Sequence, residues 1–74
     1  MFTIRTRNLR LTVPTLSAAI LAAKIEVDGD TCSLARIYNI DDVLIGTIEY
    51  YVGYRAQHLY SGPVYTPADR SNLP

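Results

Sequence analysis

The stretch FTIRTRNLRLTV, residues 2–13, changes hydrophobic parity halfway along. Phe2, Ile4 and Thr6 alternate on even positions, whereas Leu9, Leu11 and Val13 alternate on odd ones. Successive side chains of a strand point to opposite faces, so one straight strand cannot keep both sets on one side. A two-residue turn at Arg7 and Asn8 removes the conflict. It sets Phe2 opposite Val13, Ile4 opposite Leu11 and Thr6 opposite Leu9, all on a common face. Asn8 tolerates the positive φ that tight hairpin turns use. The alternative is one long strand with a bulge at Asn8.

The next segment, PTLSAAILAAKIEV, switches to helical spacing. Leu16, Ala19, Ile20, Ala23 and Val27 form one apolar stripe. Thr15 suits the N-cap, Pro14 suits the entrance, and the alanines favour helix and close approach to a sheet. The residues Asp28, Gly29 and Asp30 end the helix. A rival reading cuts it near Ala23 and pairs KIEV with TCSL across Asp28 and Gly29.

Residues 33–38 then read as a strand, NIDD as a turn, and residues 43–54 as a longer strand rich in β-branched and aromatic side chains. The remainder carries three of the four prolines. The predicted organisation is α+β: a small antiparallel sheet with one helix on one face, in the order β-β-α-β-β. Residues 1–60 form a single domain and residues 61–74 an extended or flexible C-terminal tail.

The long strand is apolar on both faces. Leu44, Ile48, Tyr50, Val52 and Tyr54 share one, and Val43, Ile45 and Tyr51 the other. One helix covers one face, so the second needs the tail, a second copy of the chain or a partner. A homodimer is the simplest supply. Size adds to that expectation. With 74 residues, burial at about 25 cal/mol per Å² is nearly cancelled by about 1.5 kcal/mol of ordering entropy per residue. A lone cysteine, Cys32, excludes an internal disulfide, and with the lone histidine, His58, it makes a poor metal site. No secretory leader pattern or membrane-length apolar run is evident, and a cytoplasmic location, in a bacterial host, is expected.

Seven basic and seven acidic residues balance to zero net charge. General attachment to nucleic acid draws on a basic excess, so direct nucleic-acid binding is not expected from the whole chain. Any charge effect must be local. Arg5, Arg7 and Arg10 crowd the first hairpin, and the proposed register sets Arg5 beside Arg10 on the outward face. Guanidinium forks suit carboxylates and phosphates. The plain alternative is a solvated face whose long stems shield apolar surface. Asp41 and Asp42 form an acidic turn, and Glu26, Asp28 and Asp30 gather where the helix ends. Four of the six tyrosines fall between Tyr50 and Tyr60. Tyrosine offers large contact area with a polar handle and is enriched at interfaces. Partner-binding candidates are therefore Arg5, Arg7, Arg10, Asp41, Asp42, Tyr50, Tyr51 and Tyr54. No phosphate loop, zinc spacing or catalytic triad is present in the pattern, and neither an enzyme nor a cofactor is expected.

FTIRTRNLRLTV, PTLSAAILAAKIEV and SLARIYNIDDVLIGTIEYY together resemble small phage- or prophage-encoded anti-CRISPR proteins acting on type I systems. The resemblance spans residues 2–54 and excludes the tyrosine-rich tail. It implies a cofactor-free, stoichiometric inhibitor that binds the Cascade complex and blocks access of target DNA. Rival expectations are a small nucleic-acid-binding protein and a phage structural or assembly protein.

Overall fold

A computed structural model describes residues 1–29 and 33–68. The chain forms an α+β fold of one five-stranded antiparallel sheet and one helix packed against it. The elements are β1 (Phe2–Arg5), β2 (Arg10–Val13), α1 (Leu16–Asp28), β3 (Leu34–Tyr38), β4 (Leu44–Arg55) and β5 (His58–Pro67). Their order across the sheet is β2-β1-β3-β4-β5, so β1 pairs with both β2 and β3.

The first hairpin takes the register that parity demands. Phe2 lies opposite Val13, Ile4 opposite Leu11 and Arg5 opposite Arg10. The turn chemistry differs from expectation. Neither Arg7 nor Asn8 adopts positive φ. Instead the Thr6 hydroxyl accepts from the Asn8 and Leu9 amides at 3.2 and 2.9 Å, and the Thr6 amide donates to the Leu9 carbonyl at 2.8 Å. A threonine side chain does the work assigned to a left-handed asparagine.

Helix α1 runs unbroken through Lys24–Val27, which rules out the rival strand reading. Thr15 caps it, with its hydroxyl accepting from the Ala18 amide at 3.1 Å. Ala19, Ala23 and Val27 are buried one turn apart, and the two alanines let the helix sit close on the sheet. Beneath them lie Ile4, Ala35, Ile37 and Ile48, all fully buried. Each buried isoleucine contributes about 1.5–3 kcal/mol of transfer free energy.

Two corrections concern the C-terminal half. The sheet has five strands, not four, because residues 58–67 pair along the whole outer part of β4, from Arg55 opposite His58 to Gly46 opposite Pro67. Residues 61–67 of the expected tail are thus extended chain built into the sheet as an edge strand; residues 69–74 fall outside the described set. Residues 61–67 therefore lie beside β4 and do not cover its second face. The turn between these strands places both Ala56 and Gln57 at positive φ, 51° and 68°. Such a turn matches strand twist but favours Asn-Gly.

Strand β3 pairs with β4 only as far as Glu49, opposite Leu34. Beyond it, residues 50–63 project as a two-stranded arm. Val52, Tyr54 and Leu59 on this arm are about 70% exposed (68%, 72% and 70%).

Candidate binding face

The helix takes the sheet face that carries Ile4, Ile37 and Ile48. Alternation sends their neighbours to the other face, which no element of the described chain covers. On that open face the strand registers align three arginines. Arg10 lies opposite Arg5, and Arg5 opposite Arg36. The same row continues through Thr47 and Thr66. Adjacent strands stand about 4.8 Å apart, so the three guanidinium stems leave the sheet across roughly 10 Å. Like charges directly opposite one another destabilise a sheet. A chain of zero net charge has nonetheless concentrated them here.

One carboxylate answers. Arg5 Nη2 donates to Asp42 Oδ1 at 3.2 Å, and the Arg5 guanidinium lies 4.6 Å from the Tyr38 ring centroid. Asp42 reaches this position from a turn organised by Asn39. The Asn39 side-chain oxygen accepts from the Asp41 and Val43 amides at 2.9 and 3.0 Å, and Asp42 itself has φ 64°. The pair is exposed and contributes little to stability. Among the described residues, Arg7, Arg10 and Arg36 have no carboxylate within ion-pairing distance. Arg5, Thr6, Arg7, Ser33, Leu34, Arg36 and Tyr38 line a concavity of about 490 Å³ beside the row.

The arm extends this face. Tyr51 lies opposite Gly62, and Tyr60 opposite Gly53. Each ring lies along its own strand over the glycine two residues on. A Cβ at Gly53 would stand 2.8 Å from the Tyr51 hydroxyl, and one at Gly62 would stand 2.9 Å from the Tyr60 hydroxyl. The hydroxyls donate to the carbonyls of Tyr54 at 3.1 Å and Pro63 at 3.0 Å. The ring centroids are 6.3 Å apart with 30° between planes, and the Arg55 guanidinium sits 5.9 and 5.8 Å from the two. The two rings form an aromatic shelf, each held by its hydroxyl, with the Arg55 guanidinium over both.

The candidates from sequence are divided by the fold. Arg5 and Arg10 join the row, Arg7 lines the concavity, and Tyr51 is on the shelf. Asp42 is engaged with Arg5, so the basic and acidic patches meet, while Asp41 stays exposed in the turn. Tyr50 and Tyr54 fall on the opposite face of the arm, where the Tyr50 hydroxyl bonds Ser61 Oγ at 3.0 Å. Arg36, Tyr38, Arg55 and Tyr60 were missed. The signal for Arg36 was its parity, opposite to Ala35 and Ile37. The signal for the shelf was the repeated Tyr-x-Gly at 51–53 and 60–62.

A second concavity, about 430 Å³, is apolar and lined by Leu16, Val43, Leu44, Ile45, Tyr65 and Pro67. Among the described residues no group of three or more His, Cys, Asp or Glu side chains could hold a metal, and no helix is long and apolar enough to cross a membrane. No family model matches the chain, and no curated protein or solved structure matches it.

Proposed function

We propose that this protein is a binding protein that acts by stoichiometric occupancy, with the open sheet face docking on an anionic surface of a macromolecular partner. The observation that supports it is the transverse row Arg10, Arg5 and Arg36, in which, among the described residues, one carboxylate is ion-paired against three guanidinium groups. Three like charges aligned in register cost stability in the free protein and are offset when an anion sits across them. In the form that the resemblance of residues 2–54 implies, the protein is an anti-CRISPR inhibitor and the partner is a type I Cascade complex.

The test mixes purified protein with Cascade, follows co-elution on a sizing column, and measures target-DNA binding by the complex. Co-elution with loss of DNA binding is expected. Cascade that elutes alone and binds DNA normally sinks the anti-CRISPR form. The double variant Arg10→Glu/Arg36→Glu, folded by circular dichroism, should lose co-elution; its full retention removes the arginine row from the contact.

A further inference from the structure

We infer that the open face takes single-stranded nucleic acid, with phosphates on the arginine row and bases on the Tyr51–Tyr60 shelf. This rests on the reading of that face as an anion-docking surface and names the chemistry of what docks. It departs from what zero net charge suggested, because the charge is unevenly spread. Among the described residues, Arg5, Arg7, Arg10, Arg36 and Arg55 all belong to the sheet and its first turn, and only Lys24 lies on the helix. The helix side carries Glu26 and Asp28. Against the five arginines the sheet side carries Asp41, Asp42 and Glu49, a net of +2 among the described residues, while the helix carries a net of −1. The sheet side is the more basic of the two, and local potential governs contact.

Charge alone would serve an acidic protein surface equally well. The aromatic geometry separates the two. Tyr51 and Tyr60 lie down over Gly53 and Gly62 with their hydroxyls engaged by backbone carbonyls, so ring faces and the Arg55 guanidinium over them, not hydroxyl tips, are the presented surface. A base offers a matching π-face whatever its identity, whereas a carboxylate-rich surface does not. Open antiparallel sheets bearing aromatics receive unpaired bases in this way, and a duplex keeps its bases stacked inside. Tyr51 is four residues along β4 from Thr47, the residue opposite Arg36, a distance of roughly 14 Å. A short strand spans that gap. Glu49 stands between the two sites on the same face, opposite Leu34, as a local brake on affinity.

The probe is a fluorescein-labelled 15-nucleotide oligo-dT, followed by anisotropy at 50 mM salt, beside a 15-base-pair duplex and a labelled 15-residue polyglutamate. Oligo-dT should bind more tightly than either. Arg5 is engaged with Asp42, so Arg7, Arg10 and Arg36 are counted as phosphate contacts. At about −0.7 per contact, log affinity against log salt should slope at about −2, a loss of roughly 20-fold between 50 and 200 mM. Tyr51→Ala/Tyr60→Ala should weaken binding about tenfold or more, as lost stacking does. Tyr51→Phe keeps the ring but loses its bond to the Tyr54 carbonyl, and should bind between the parent and the alanine variant. Tyr54→Ala, on the other face, should be silent, and Glu49→Gln should tighten binding.

Equal binding of duplex and single strand with no effect of the tyrosines overturns the inference. So does tighter binding of polyglutamate, which would assign the face to acidic proteins. No oligonucleotide binding at 50 mM salt also overturns it, yet leaves the docking reading standing wherever Arg10→Glu/Arg36→Glu still abolishes capture of a partner.

Discussion

The body of the sheet and its arm are built on different principles. In the body, Ile4, Ile37 and Ile48 lie under Ala19, Ala23 and Val27 at essentially zero exposure. In the arm, residues 50–63, no large side chain is buried, and Val52, Tyr54 and Leu59 stand open to solvent. The body is held by exclusion of water beneath a helix. The arm is held by its ladder, by two tyrosines laid over two glycines, and by Arg55 above both rings. A two-stranded ribbon alone is marginal in water. The lesson is that side-chain rings can stand in for a second layer where the helix does not reach.

Substitutions can break this contrast. Ile37→Ala has the largest expected effect, about 2–5 kcal/mol, because it empties a site with neighbours on all sides. For a 74-residue chain that is a large share of total stability. Denaturant unfolding should shift sharply, and amide protection should vanish from body and arm together. Survival of arm protection would mean that the arm folds on its own.

Gly53→Val should act on the arm alone. Its Cβ would meet the Tyr51 hydroxyl at 2.8 Å and lift the ring, at a cost of about 1–3 kcal/mol. Hydrogen exchange should quicken across residues 50–63 while the Ile37 and Ile48 amides stay protected. A uniform loss would show that the two regions are one cooperative unit.

The third change should strengthen the arm. Ala56→Asn/Gln57→Gly relieves two left-handed residues of the wrong type and should add about 1 kcal/mol. It should slow exchange at the arm tip and leave denaturant-induced unfolding of the body nearly unchanged. Asp42→Asn should be smallest. An exposed ion pair gives under about 1 kcal/mol, and even that should disappear in a thermal melt at high salt. The same variant frees Arg5 and should steepen any salt-dependent anion binding.

Local pattern made part of this structure legible. The parity switch between Thr6 and Leu9 fixed the first hairpin's register, and the stripe from Leu16 to Val27 fixed the helix and its buried side. Strand β5 was not legible, because Gly62, Pro63 and Pro67 read as breakers, and only an edge position tolerates them. The arginine row was half legible. Arg5 beside Arg10 follows from the hairpin, but Arg36 joins them only because β1 and β3, separated by a helix, become neighbours. Such pairing between distant segments leaves no trace in local alternation. The shelf carried a trace in its Tyr-x-Gly repeat, yet its meaning depended on β5 being a strand.

Pro63 and Pro67 have one further consequence. Both sit opposite residues of β4, at Tyr50 and Gly46, on the outermost strand. A proline has no N–H to give, so both occupy positions whose donor would point away from the sheet. The outward rim of β5 is therefore missing donors at two places four residues apart. A strand from another chain that tried to extend the sheet there would meet gaps at a regular interval. The prolines thus guard the rim of β5 from residue 63 to residue 67, beside the body of the sheet, while the arm's own edges, residues 50–55 of β4 and 58–62 of β5, carry none.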